Sequence, residues 1–251
     1  MIVLVTGASS GFGEEIARKF VRHGHQVIAA ARRTERLARL HQELGAALLP
    51  VTLDVSDKLS ITKALAGLPP NWKPIDVLIN NAGLALGTEP AQQAVLSDWE
   101  TMIDTNVKGL VAMTHALLPD MVARNSGMII NIGSIASSTP YPGGNVYGAS
   151  KAFVEQFTKN LRADLAGTGV RSTNISPGFS SGSEFWNVRL RGNDEAAAKI
   201  HTGTVPLTTA DIAEAAYWVA TLPAHVNINF LEMMPTCQGY GALNIKRNPV
   251  A

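Results

Sequence analysis

A chain of 251 residues, 46% of them hydrophobic and 16% charged, can bury roughly 70–75% of its unfolded surface around one core, which excludes a disordered chain and a disulfide-stapled miniprotein. Its 21 basic and 20 acidic residues leave a net charge of +1 without a Lys/Arg run, so neither a nucleic-acid footprint nor an anionic-membrane surface is expected. Cys237 is the one cysteine and has no internal disulfide partner, no apolar run reaches the ~20 residues that span a bilayer, and residues 1–7 lack the length and cationic flank of a signal segment, so a cytoplasmic protein is expected.

Short apolar, β-branched runs recur at 2–5, 26–31, 49–53, 77–80, 128–132, 170–175 and 228–233. Stretches with helical spacing lie between them at 13–23, 32–44, 97–125, 147–165 and 211–222. Runs that are apolar throughout belong to strands covered on both faces, so the pattern predicts a single-domain α/β fold, a doubly wound parallel sheet flanked by helices. Ser97 followed by Glu100 has the form of a capping box at the start of the third of these helices. Two segments break the rhythm. Residues 177–204 carry Gly178, Gly182, Gly192 and Gly203 among Ser, Asn and charged residues and are expected to be an irregular, mobile lid; residues 234–251, with Pro235, Gly239, Gly241 and Pro249, are expected to be an extended tail that could cover a neighbouring subunit.

The first run leads directly into Thr6-Gly7-Ala8-Ser9-Ser10-Gly11-Phe12-Gly13. A strand that turns sharply into a helix needs glycines where a diphosphate must approach without Cβ obstruction, and the helix N-terminus then offers free amides and a partial positive charge. The expected phosphate loop is therefore Gly7, Ser9, Ser10, Gly11, Phe12 and Gly13. A dinucleotide enzyme that prefers an unphosphorylated ribose places Asp or Glu about 20 residues further on. Here the second run ends in Arg32 and Arg33, whose guanidinium groups would pair a 2′-phosphate, so NADP is expected over NAD; the alternative is a pair of cations on a solvated helix start. Asp54 and Val55 after the third run are placed to meet the adenine, and Asn81, Ala82 and Gly83 follow the fourth, all at carboxyl-end turns where open α/β sheets collect ligands.

Tyr147 and Lys151 stand four apart at the start of a helical stretch, hence on one face. A phenol titrates near ~10, and lowering it by ~3 units takes about 4 kcal/mol, which an adjacent ammonium and a cationic nicotinamide can supply. Ser134, just past the fifth run, reaches the same sheet edge, where its hydroxyl can hold a carbonyl oxygen beside Tyr147. Asn106 lies mid-helix, where Asn is a poor former and can free a backbone carbonyl for a water.

Together these residues resemble the short-chain dehydrogenase/reductase family in its classical branch. The resemblance covers nearly the whole chain, from the 6–13 loop through Asn81, Ala82, Gly83, Asn106, Ser134, Tyr147 and Lys151 to Pro177 and Gly178 after the sixth run. It implies a Rossmann-type seven-stranded parallel sheet, hydride transfer at a carbon bearing oxygen, and a homotetramer. It also implies that Tyr147 is the acid in reduction and the base in oxidation, that Lys151 lowers its pKa and binds the nicotinamide ribose, that Ser134 orients the carbonyl, and that Asn106 holds a relay water.

Closer similarity, in segments 81–87, 99–106, 143–148 and 222–229, is to NADP-dependent 3-hydroxy acid dehydrogenases and malonic semialdehyde reductases, with sulfoacetaldehyde reductase as a near relative. These substrates pair a small carbonyl with an anionic head. Arg189 in the lid is the candidate partner for that head, because a guanidinium grips carboxylate or sulfonate through two parallel bonds. The lid departs from the subgroup after Gly178: Ser183 stands where the subgroup carries Thr, still with a hydroxyl for the nicotinamide carboxamide, and Trp186 replaces a small residue and would narrow the pocket or pack against a sulfonate. Gln238 and Tyr240 on the tail either reach an active site or pack on the surface. The six histidines are scattered, so no metal site is expected, and Gly133-Ser134-Ile135-Ala136 is no nucleophile elbow. The alternative from another class is a non-catalytic, NADP-sensing regulatory protein on the same fold.

Overall fold

Seven strands, β1 (Ile2–Thr6), β2 (Gln26–Ala31), β3 (Leu48–Thr52), β4 (Val77–Asn80), β5 (Gly127–Ile132), β6 (Val170–Pro177) and β7 (Phe230–Met233), form one sheet in the computed structural model, which describes residues 1–241. Their order is β3-β2-β1-β4-β5-β6-β7, and every pairing is parallel. Successive side chains of a strand point to opposite faces, and β1 shows why its run is apolar without alternation: Val3 and Val5 enter one core, Ile2 and Leu4 the other. The first core packs against α1 (Gly11–Arg22), α2 (Thr34–Leu44) and α9 (Thr209–Thr221), through Ile16, Phe20, Leu37 and Val219. The second takes Ile61 of α3 (Lys58–Ala66), Met113 and Leu117 of α5 (Leu110–Ala123) and Leu161 of α6 (Asn145–Asp164). The predicted doubly wound parallel sheet is the observed one.

Several elements differ from expectation. The single helix predicted over 97–125 is α4 (Leu96–Ile103), a π-helical turn (Asp104–Gly109) and α5, three continuous pieces with a widened waist at Asn106. The predicted cap at Ser97 is absent, because α4 starts one residue earlier and its N-cap, Val95, has no oxygen to offer. The capping box of this fold sits instead at Thr208 and Asp211, at the head of α9. Helix α3 was not predicted: Ile61 is its one buried residue, too little for a periodic signal, although Asp57 caps it by accepting from Leu59 N. Edge strand β3 admits Pro50, whose missing N–H costs least on an edge.

Strand β6 is the largest surprise. The sequence presents 170–175 as an apolar run, yet Ser172, Thr173, Asn174 and Ser176 are all buried in it. Hydrogen bonds offset most of the cost: Ser172 Oγ donates to Thr158 O, Thr173 Oγ1 to Ile228 O, and Asn174 Nδ2 to Ser176 Oγ, while Asn174 Oδ1 is buried without a partner among the described residues. The lid predicted as irregular holds two short helices, α7 (Phe185–Arg189) and α8 (Asp194–Lys199). Its neck is closed where Ser181 N donates to Leu207 O at 2.8 Å and Leu207 N to Phe179 O at 3.0 Å. Of the predicted tail, the part at 242–251 lies outside the described residues.

Candidate active site

Strand order reverses between β1 and β4, and there the carboxyl ends of the sheet open a crevice. Thr6, the last residue of β1, ties its two lips together: its hydroxyl accepts from Asn81 N and Ala82 N at 3.0 Å each and donates to Ile79 O, while Asn81 Nδ2 donates back to Thr6 O at 2.9 Å. The chain then turns into α1. Gly11 takes φ +58°, a left-handed conformation that glycine adopts freely, and a Cβ at Gly13 would collide with Asn81 Nδ2 and the Gly7 carbonyl. Ser10, the N-cap of α1, makes no side-chain cap bond; its hydroxyl accepts from Arg33 Nη2 at 2.7 Å. The first amides of α1 therefore lack a side-chain cap and suit an anion.

From this loop a cleft of about 430 Å³, within the range of small-molecule sites, runs over the sheet edge to Ser134 and Tyr147. Of the predicted residues, Gly7, Ser9, Ser10, Gly11 and Phe12 line its floor, Arg32, Arg33, Asp54 and Val55 one end, Asn81, Ala82 and Gly83 its middle, and Pro177, Gly178 and Ser183 its roof. Gly13 stands behind the loop, where it lets the loop and the Asn81 turn approach. Arg32, whose side chain is 69% exposed, meets Asp54 only at 3.9 Å, whereas Arg33 is fixed by Ser9 and Ser10. Asp54 spends its other oxygen on Ser56 N and Oγ. Two cations beside uncapped helix amides, on a glycine floor with no Cβ in the way, fit a dinucleotide bearing a 2′-phosphate.

The reactive end is assembled by β5 and α6. Spacing of four on α6 puts Tyr147 and Lys151 on one face, both buried, with Lys151 Nζ 5.9 Å from the phenol ring centre. Nζ donates to Ile132 O, the last carbonyl of β5, at 2.8 Å. Burial brings the Lys151 ammonium down to about 8. Burial also pushes the Tyr147 phenol up to about 12, against the pull of a hydrogen bond from Ser134 and of the Arg189 charge. The sequence reading expected a lowered phenol. The chain alone supplies a neutral one, and a cationic ring in the cleft would pull it down in the same sense as Ser134 and Arg189.

Asn106 does not line the cleft. The π turn carries its amide under the floor, where Nδ2 donates to Leu84 O and Ser150 Oγ and Oδ1 accepts from Leu84 N. Its side chain is thus fully engaged in holding the 81–84 turn to α6, and any relay water would fall to its backbone carbonyl.

The lid closes the reactive end with Arg189. This guanidinium is 4% exposed and has no carboxylate partner among the described residues; Nε donates to Gly87 O, Nη1 to Tyr141 Oη at 2.8 Å and Nη2 to Gly143 O at 3.0 Å. A guanidinium carries five N–H bonds, so these three leave two unspent. It lies 5.7 Å from the Tyr147 ring, 5.2 Å from Tyr141 and 5.6 Å from Trp186, at the centre of an aromatic cage. Trp186 lines the cleft, and Phe185 tilts over Tyr147 at 5.6 Å.

Tail residue Gln238 reaches the cleft, accepting from Phe179 N at 2.6 Å, while Tyr240 is 75% exposed and bonds Glu232. Sequence reasoning passed over Tyr141, Phe185 and Glu184. Tyr141 sits between prolines and glycines that mark a turn; nothing local marks the other two. Among the described residues no three His, Cys, Asp or Glu side chains cluster as metal ligands, and no helix is long and apolar enough to cross a membrane.

A family model for short chain dehydrogenases matches residues 1–191. The chain is 61% identical over 247 residues to an NADP-dependent 3-hydroxy acid dehydrogenase, YdfG, of Escherichia coli O6:H1, covering 98% of this chain and 100% of the relative. It is 50% identical to a serine 3-dehydrogenase of Rhizobium radiobacter, covering 98% of each. Among solved structures, the closed form of a serine dehydrogenase complexed with NADP+ superposes with a TM-score of 0.96 at 61% identity, over 99% of this chain and 100% of that one.

Proposed function

The chain belongs to the short-chain dehydrogenase family, and from that premise we propose that it is an NADP(H)-dependent oxidoreductase that interconverts a small 3-hydroxy acid with its aldehyde or ketone. The observation that carries the substrate reading is Arg189: a buried cation without an acid among the described residues, two N–H bonds unspent, 5.7 Å from the ring of the proton donor. An anionic head on Arg189 sets a carbonyl two or three bonds away against Ser134 and Tyr147. Malonic semialdehyde going to 3-hydroxypropionate, and serine or allo-threonine oxidation, have this shape.

The α1 amides, Arg32, Arg33 and Lys151 would hold NADP(H), whose nicotinamide would supply or accept the hydride. In reduction, Ser134 orients the carbonyl oxygen and Tyr147, neutral at working pH, donates its proton to it. Lys151 orients the ribose and stabilises the phenolate that forms, and Ile132 O holds its ammonium in place. Trp186 and Tyr141 wall the chamber so that only a short substrate reaches Arg189.

Sulfoacetaldehyde is the second reading, because the flat face of Trp186 beside Arg189 also suits a sulfonate. We further propose a cytoplasmic homotetramer; support comes from Leu96, Ile103 and Phe153, large apolar side chains left exposed on α4 and α6, with Phe153 stacked on Phe157 at 5.7 Å. Light scattering on the purified protein tests the subunit number.

Initial NADPH oxidation rates with malonic semialdehyde and sulfoacetaldehyde, side by side and with NADH as control, test the function. Carboxylate substrate is expected to lead by tenfold or more in kcat/KM, about 1.4 kcal/mol of transition-state binding. Tyr147→Phe is expected to lower kcat by about 10²–10⁴ while NADPH still binds. Normal turnover by that variant would remove Tyr147 as proton donor, and NADPH binding without turnover of any small carbonyl by the unaltered protein would favour the sensor reading.

A further inference from the structure

Glu184, at the head of α7, reaches out of the lid to Arg33, which faces the cofactor's adenosine end, and to Arg36, one helical turn on. Its Oε2 pairs with Arg33 Nη1 and its Oε1 with Arg36 Nη2, both at 2.8 Å. Burial pushes the Glu184 carboxyl up, but hydrogen bonds from Arg33, Ser10 and Arg36 outweigh it and hold the group below the usual carboxylate range, so it is charged at neutral pH. Arg33 is thereby held on three sides, by Ser9 through Nε, by Ser10 through Nη2 and by Glu184 through Nη1. The neighbouring residue, Ser183, rests on the phosphate loop so tightly that a Cβ at Gly11 would stand 2.8 Å from its Cβ. The lid therefore crosses the loop at contact distance, and Glu184 fastens the crossing on the arginine side.

We propose that Glu184 is a positioning residue that couples cofactor recognition to lid closure: by bridging Arg33 and Arg36 it orients the Arg33 fork and latches residues 183–184 across the phosphate loop, so that NADP(H) departs only after both pairs open. The proposal rests on the NADP(H) reading above. It adds that one arginine, Arg33, serves cofactor and lid together, while Arg36 serves the lid.

The test is the dissociation rate of NADPH, read by stopped-flow loss of bound-nucleotide fluorescence on mixing with excess NADP+, in unaltered protein, Glu184→Gln, Arg36→Gln and the double variant. Partly exposed ion pairs are individually weak, so the two together are expected to hold the rate down by about 3- to 30-fold. Glu184→Gln should accelerate release by that factor, and adding Arg36→Gln to Glu184→Gln should change release by less than Arg36→Gln does alone. Without cofactor, trypsin should cut faster after Arg191 and Lys199 in Glu184→Gln. An unaltered release rate, an unaltered cleavage rate, or single effects that simply multiply in the double variant would overturn the latch. Failure of the unaltered protein to bind NADPH would instead overturn the cofactor reading beneath it, and the tryptic arm would still report the lid fastening.

Discussion

Lys151 occupies a position where a lysine is costly and useful for the same reason. Burial brings its ammonium from 10.5 to about 8, so the folded chain holds the proton less tightly than the unfolded chain does. The sign follows from linkage: between pH 8 and 10.5 the unfolded state binds more protons, and stability rises with pH; below pH 8 the full penalty is present. Lys151→Met removes this titration. Compared by denaturant unfolding, the stability of the unaltered protein relative to Lys151→Met should improve by about 3 kcal/mol from pH 7 to 10.5, with activity lost in the variant at every pH. A flat difference across that range would mean that Nζ is hydrated. Tyr147 and Lys151 could be found in the sequence because a helix makes spacing of four a statement about one face. Arg189 could be named but not explained, since its partners Gly87, Tyr141 and Gly143 lie 46 to 102 residues away.

At the scale of the element, the π turn between α4 and α5 does what no ordinary helix would: it swings Asn106 beneath the 81–84 turn and binds it with hydrogen bonds to both Leu84 backbone groups. Asn106→Ala leaves those buried groups unpaired and should cost about 2–4 kcal/mol, with a fall in kcat as the Gly83 turn loosens beneath the cofactor. Thr208→Ala removes the cap of α9 on the far side of the sheet and should cost about 1 kcal/mol without touching kcat. Thermal unfolding and initial rates on the two variants separate a helix that shapes the site from one that only covers the core. Periodicity reads 97–125 as one helix because the apolar spacing runs on through the π turn despite Asn106 and Gly109; the widening is fixed by what Asn106 bonds across space. Ser97 resembles a cap without being one, because Ser, two residues and Glu mark a helix start only where the backbone leaves the Ser outside the first turn, and α4 already begins at Leu96.

At the scale of the whole molecule, the all-parallel order β3-β2-β1-β4-β5-β6-β7 brings the ends of β1, β4, β5 and β6 to one edge, and the site is what collects there. Because the cleft is built by the folded chain, NADP+ binds the folded state alone; at 100 times its Kd it should add about 2.7 kcal/mol, a rise in Tm of about 5–11 °C for a chain of this size, with NAD+ at equal concentration giving less. An equal rise with NAD+ would remove the 2′-phosphate role from Arg32 and Arg33. By itself the sequence determined the rhythm of strands and helices, the glycine-rich turn after β1 proposed for the phosphates, the pair of arginines after β2 and the proposed Ser134, Tyr147 and Lys151 set, because each is written in neighbours along the chain through backbone geometry and a fixed period. Only the tertiary structure decided that β6 could bury Ser172, Asn174 and Ser176, that Asn106 works from below the floor, and that Glu184 joins the lid to Arg33 and Arg36. Apart from the Asn174–Ser176 bond within β6, those outcomes depend on hydrogen bonds and ion pairs between segments separated in the chain, and local spacing carries no record of which polar group will meet which.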